Sequence, residues 1–195
     1  MYNTVVAVLS VLAALRPRPS VPQVHVPTPE RPLPAPVVVR HAPKIAWLAV
    51  CTTLVAGFEG LYTHPYHDSV GVLTVCYGAT AADHVDLHRT YTPAECKDML
   101  ASDLPKYDAE MRRCLTPAAY AALDDHPNRH AALVSFVYNL GPGPICKGAV
   151  GHYLNAGNVD AACRAMLAYN HAGGRVLRGL TVRREQEYQL CKRDD

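Results

Sequence analysis

Nine of the chain's 16 prolines fall between Arg16 and Pro43, in the run RPRPSVPQVHVPTPERPLPAPVVVRHAP. Proline has no amide hydrogen and a fixed φ, so so dense a run builds neither helix nor sheet and favours extended polyproline II. Residues 16–43 therefore read as a semi-rigid linker, with a proline-rich ligand for a partner domain as the sharper alternative. The folded domain is predicted to occupy residues 44–195. Residues 1–15 hold an apolar run from Val5 to Leu15. Eleven residues are too few to span a bilayer as an ordinary helix. The length suits a signal-peptide core, yet no Lys or Arg precedes it and no small-residue cleavage site follows. It is a candidate signal or anchor, or an apolar start with neither role.

The remainder is long enough for one domain with a real core. Hydrophobic residues make up 49% and charged ones 18%, an ordinary globular balance. A net charge of +2 is too small to argue for nucleic acid and is compatible with an anionic polymer such as a cell wall. All seven cysteines lie after residue 50, at Cys51, Cys76, Cys96, Cys114, Cys146, Cys163 and Cys191, and no two form a C-x-x-C pair. That spacing argues against a zinc ribbon or a thioredoxin-type centre. Dispersed cysteines suit disulfides in an oxidising compartment, or buried free thiols. The odd count leaves at least one thiol over.

The stretch from Ile45 to Phe58 is apolar apart from two threonines and follows the basic residues Arg40 and Lys44. It reads either as a signal core or as the buried first helix of the domain. Val72 to Gly78 is rich in β-branched and aromatic residues after a turn at Gly71, so a strand is predicted there. Helices then follow. Thr92-Pro93-Ala94-Glu95 is a capping box with proline at the first helical position, and a break is expected near Pro105. Thr116 caps a second helix, Gly141 ends a third, Asn158 caps a fourth and Thr181 is expected to cap the last. One small β element followed by several helices predicts an α+β domain with a large helical part.

The chemistry gathers in FEGLYTHPYHDSVGVLTVCYGAT, Phe58 to Thr80. Glu59 follows a predicted helix, where the negative end of the helix dipole and apolar neighbours such as Leu54 and Phe58 favour a protonated carboxyl. A general acid needs that form. Asp68 lies in a polar stretch that keeps it ionised, and a hairpin at Gly71 would return Thr74 towards it. A carboxylate beside a hydroxyl can hold a water, and an acid opposite an activated water is the layout for hydrolysing a glycosidic bond with inversion. The alternative is a surface Glu, a turn Asp and a strand Thr with no shared role.

Glu59-Gly60, Tyr66-His67-Asp68, Gly71-Val72-Leu73-Thr74 and Tyr77-Gly78 together resemble the signature of the phage lysozymes, or endolysins, of glycoside hydrolase family 24. The blocks ALVSFVYNLGPGPIC, LNAGNVDAAC and AGGRVLRGLTVRREQEYQLC look like later parts of its cysteine-containing branch. The resemblance runs from about Ile45 to Cys191. It implies a lysozyme-like fold, with a small β-hairpin lobe and a mainly helical lobe. It also implies a monomeric muramidase without cofactor, cleaving the β-1,4 bond between N-acetylmuramic acid and N-acetylglucosamine in peptidoglycan during host cell lysis. Such an enzyme is made in the host cytoplasm and acts in the periplasm, with the apolar N-terminal stretches giving transient membrane association. Glu59 would be the proton donor, Asp68 and Thr74 would position water, and Thr80, Tyr138 and Asn139 would line the sugar cleft. Tyr138 also reads as a core residue. The branch tends to carry cysteines at Cys76, Cys96, Cys114, Cys146, Cys163 and Cys191, and Cys76 is expected to tie the hairpin to the helical part. Cys51 is then the odd one, either a core residue or part of a thiol switch. The chain departs from the pattern at Cys76, where many relatives have glycine, at Ala79, where His is common, at Lys147-Gly148-Ala149 and at Tyr169.

Three other readings compete. His84 with His88, and His126 with His130, have the i, i+4 spacing of helical zinc ligands, but neither pair sits in H-E-x-x-H and Pro127 disfavours the second. A lytic transglycosylase would use Glu59 and leave Asp68 and Thr74 as bystanders. An inactive wall-binding lysis partner would need none of the three.

Overall fold

The computed structural model describes residues 46–68, 71–83 and 85–193, so the segments assigned to residues 1–15 and 16–43 lie outside it. The first apolar run of the domain forms helix α1, Ala46–Phe58. Its buried residues Trp47, Cys51, Thr52 and Val55 make one stripe at helical spacing. Thr52 is tolerated there because its hydroxyl donates to the Leu48 carbonyl, 2.7 Å away. Among the described residues, no helix is long and apolar enough to cross a membrane.

A small sheet follows in the order β1 (Tyr62–His67), β2 (Leu73–Cys76) and β3 (Ala79–Thr80), all antiparallel. The β1–β2 register slips between Tyr62 and Tyr66, where Pro65 has no amide hydrogen to pair. The predicted strand at Val72–Gly78 is thus the middle strand of three.

Helix α2 (Pro93–Arg112) opens with the expected capping box: the Thr92 hydroxyl accepts from the Glu95 amide, and the Glu95 carboxylate accepts from the Thr92 amide. It does not break at Pro105. Proline removes one rung of the ladder, but Pro105 is exposed while Cys96, Leu100, Leu104 and Met111 are buried along the opposite face. Packing of that face holds the helix through the gap. Pro105→Ala is accordingly expected to stabilise the protein by about 1–2 kcal/mol, read as a rise in Tm; an unchanged or lower Tm contradicts this.

Beyond α3 (Pro117–Ala121), helix α4 (Pro127–Leu140) is the centre of the domain, with every residue from His130 to Val137 buried. It stops at Gly141, whose φ of 73° suits glycine and whose amide donates to Val137 at 2.7 Å. Helices α1 and α8 (Arg178–Cys191) pack on it from two sides. Short helices α5 (Gly143–Cys146), α6 (Ala149–Asn155) and α7 (Val159–Ala165, capped by Asn158) close the helical part. Between α7 and α8 lies a hairpin that sequence reading missed, β4 (His171–Ala172) with β5 (Arg175–Val176). Gly173 and Gly174 both have positive φ, as a two-residue hairpin turn requires. Thr181 is not the cap of the last helix: α8 starts at Arg178, and the Thr181 hydroxyl donates back to the Leu177 carbonyl.

Three disulfides bind the elements, Cys76–Cys96, Cys114–Cys146 and Cys163–Cys191. The first ties β2 to α2, as expected for Cys76. Cys51 is left as a buried free thiol, and burial pushes its ionisation far above the usual range. In this structure it is a core residue of α1.

Candidate active site

Glu59 stands one residue past α1 and continues its hydrogen-bonding pattern, its amide donating to Val55 at 3.0 Å. The side chain is 14% exposed and meets the guanidinium of Arg183 on α8, Nη1 to Oε1 2.8 Å. Sequence reading anticipated apolar neighbours; Phe58 is one of them, but it lies under the same guanidinium, 4.8 Å from its ring centre. The Arg183 guanidinium thus has both the Phe58 ring and the Glu59 carboxyl's Oε1 as partners. Glu59 Oε2 takes no hydrogen bond from any described residue.

Arg183 is itself held. Its Nε donates to Glu187 Oε1 at 3.1 Å and its Nη2 to the Ser135 carbonyl at 3.3 Å. The Ser135 hydroxyl donates to the same Glu187 oxygen at 2.8 Å. Arg184 pairs with Glu187 Oε2 through Nε at 2.8 Å and donates through Nη2 to Asn139 Oδ1 at 2.8 Å. Burial pulls the Arg184 guanidinium down to about 10, with Glu187 opposing and Arg183 adding to the fall. For Arg183, burial also acts downwards, but Glu187 and Glu59 outweigh it and raise the group. Arg183, Arg184 and Glu187 were read only as part of a helix; two arginines followed by a glutamate at i+4 and i+3 were the available signal.

Asp68 and Thr74 both bond to Val72 at the neck of the first hairpin. Tyr66 pairs with Thr74 and His67 with Leu73, and the Asp68 amide donates to the Val72 carbonyl at 2.9 Å. Opposite and alternate residues share a face, so Tyr66, Asp68 and Thr74 project from the same side of the ribbon. Asp68 Oδ1 accepts from the Val72 amide at 2.8 Å, which fixes the carboxylate. Thr74 is 4% exposed, and its hydroxyl donates to the Val72 carbonyl at 3.0 Å. The Tyr66 phenol is raised by burial first, then by Tyr62, Asp68 and Glu59. Tyr66 thus lies within electrostatic reach of both carboxylates.

The three expected sugar-cleft residues separate into two places. Thr80 and Tyr138 line one cavity of about 400 Å³ between the sheet and α2, together with Tyr107, Asp83 and Lys106. Thr80 is pinned by Asp83, whose Oδ2 accepts from its amide at 2.9 Å and its hydroxyl at 3.1 Å. Burial alone would push Asp83 up, yet the Thr80 donors and Lys106 together hold it below the usual carboxylate range. The Tyr138 hydroxyl donates to the Tyr77 carbonyl at 2.9 Å, bracing the turn after β2. Its phenol is raised by burial first and then by Glu59. Asn139 faces the other way, towards Arg184. Glu59, Asp68 and Thr74 do not line this cavity.

The histidine pairs have other work or lie outside view. His84 is outside the described residues. His130 is 1% exposed, stacks on Trp47 at 4.7 Å and contacts Asp108 Oδ1 at 2.7 Å. Tyr120 donates to the other Asp108 oxygen at 2.7 Å, so His130 belongs to a core network joining α1, α2, α3 and α4.

The sequence profile of the phage lysozyme family matches residues 56–187. The chain is 40% identical over 135 residues to an SAR-endolysin of Bacteriophage PS119, covering 69% of this chain and 77% of that one. An SAR-endolysin of Enterobacteria phage P21 is 38% identical over 135 residues, covering 69% and 78%. Among solved structures, a P22 lysozyme mutant superposes with a TM-score of 0.63 at 26% identity, covering 73% of this chain and 94% of that one. The matched range 56–187 spans the hairpin, Glu59 and the arginine pair described above, and the chain belongs to the phage lysozyme family.

Proposed function

We propose that Glu59 is the proton donor of this lysozyme, and that Asp68 and Thr74 hold the attacking water. The enzyme is an endolysin, a muramidase that hydrolyses the β-1,4 bond between N-acetylmuramic acid and N-acetylglucosamine of peptidoglycan. The observation that carries the assignment is the Glu59 carboxyl itself, mostly buried and held through Oε1 by Arg183, with no hydrogen bond to Oε2 from any described residue. An acid fixed through one oxygen delivers a proton from the other without losing its orientation. Asp68 and Thr74 share one face of the hairpin, where a carboxylate and a hydroxyl together accept from and orient a water. Thr80 and Tyr138 line the path of the glycan, and Asn139 steadies its far side through Arg184. The protein acts as a monomer in the periplasm. It is made in the host cytoplasm, and its apolar N-terminal stretches give transient membrane association.

Asp68→Asn is expected to lower kcat on purified peptidoglycan by about 10²-fold, and Thr74→Ala by about 10-fold, with the fold retained. A lytic transglycosylase has no attacking water. Parental kcat in both variants would therefore remove Asp68 and Thr74 from the mechanism.

A further inference from the structure

We propose that Glu187 is a positioning residue for the reaction: it sets the Arg183 guanidinium at the one angle that presents Nη1 to Glu59. The inference rests on Glu59 being the proton donor. Glu187 is fully buried on α8, and one of its oxygens, Oε1, gathers three donors, Arg183 Nε, Arg184 Nη2 and the Ser135 hydroxyl. Its other oxygen pairs with Arg184 Nε. A guanidinium is a planar fork, so fixing Nε fixes where the remaining nitrogens point. With Nε on Glu187, Nη2 on the Ser135 carbonyl and the Phe58 ring against the plane, only Nη1 is left to face Glu59.

A second consequence concerns charge. Arg183 and Arg184 are adjacent cations, both buried, and they bear on two different parts of the site, Glu59 and Asn139. Glu187 is the buried anion between them. Without it, two buried cations would face one carboxylate, and Arg183 would be free to take both Glu59 oxygens in the bidentate manner guanidinium favours. Oε2 would then be engaged and the proton route closed. Glu187 keeps Arg183 to a single oxygen of the acid.

The test compares Glu187→Asp, which keeps the charge but shortens the reach by one methylene, with Arg183→Gln and with the double variant. Initial rates are measured against the concentration of solubilised peptidoglycan chains. Glu187→Asp keeps the buried charge and is expected to stay folded, with a Tm between those of the parent and Glu187→Gln, while kcat falls about 10-fold and KM stays within about two-fold. The double variant is expected to be no slower than Arg183→Gln alone, because Glu187 acts through Arg183. Glu187→Gln leaves the arginine pair unbalanced and is expected to lower Tm as well. If it fails to fold, Glu187→Asp and the double variant decide. Parental kcat in Glu187→Asp, or losses that multiply in the double variant, overturns the inference. Glu59→Gln is run alongside: full activity there removes the proton-donor reading itself, whereas an inactive Glu59→Gln beside a parental Glu187→Asp removes the positioning role alone.

Discussion

Glu59→Gln is expected to lower kcat/KM on purified peptidoglycan by about 10⁴-fold while leaving circular dichroism and Tm close to those of the parent. The amide is isosteric and still accepts from Arg183, so the contact that orients the side chain survives. Arg183 keeps Glu187 as a buried counter-charge, though it then shares that one carboxylate with Arg184, so the fold is retained with a small fall in Tm. On the proposed assignment, what disappears is the proton that Glu59 donates. A neutral amide cannot protonate a departing sugar oxygen, and the large effect on rate follows with little effect on fold. Activity within about 10-fold of the parent would show that another group supplies the proton.

Removal of the Cys76–Cys96 disulfide carries the largest expected effect on stability. The bond closes a loop with a sequence separation of 20 and fastens β2 to α2. Closing a loop of that size stabilises by about 3 kcal/mol. Cys76 also has a φ of 59°, a left-handed conformation that non-glycine residues adopt at a cost of about 1 kcal/mol. The chain accepts the strained backbone at Cys76 and gains a covalent tie. Two double variants separate the terms. Cys76→Ala with Cys96→Ala is expected to lower stability by about 3 kcal/mol in urea titration. Cys76→Gly with Cys96→Ala is expected to recover about 1 kcal/mol of that loss. Thr74 lies two residues before Cys76 on the same strand, so kcat should fall in both. Equal stability of the two variants would contradict the backbone argument.

The parts of the fold governed by local chemistry were legible in the chain. The Thr92–Glu95 capping box, the Asn158 cap and the stop at Gly141 lie where short-range hydrogen bonding and glycine's φ freedom put them. The hairpin that unites Asp68 and Thr74 followed from Gly71 and the β-branched run behind it. Features decided by tertiary packing were less accessible. Pro105 breaks an isolated helix, but buried Leu104 and Met111 on the far face override it. The hairpin turning at Gly173-Gly174 escaped sequence reading, because two strands of two residues give almost no alternation to detect. Arg183 and Glu187 were the most consequential omission. A helix reading VRREQEYQL looks like a solvated face, and only the fold shows that Arg183, Arg184 and Glu187 turn inwards together. Glu59 was thus singled out from sequence, while the cation that holds its carboxyl was not.

The most direct test of the mechanism is digestion of purified peptidoglycan in water enriched in heavy oxygen, with mass spectrometry of the released muropeptides. If Glu59 donates the proton and Asp68 with Thr74 delivers water, each new reducing end on N-acetylmuramic acid carries one heavy oxygen atom. Anhydro-muramic ends with no incorporated label would contradict that account, because no water would then have attacked the sugar.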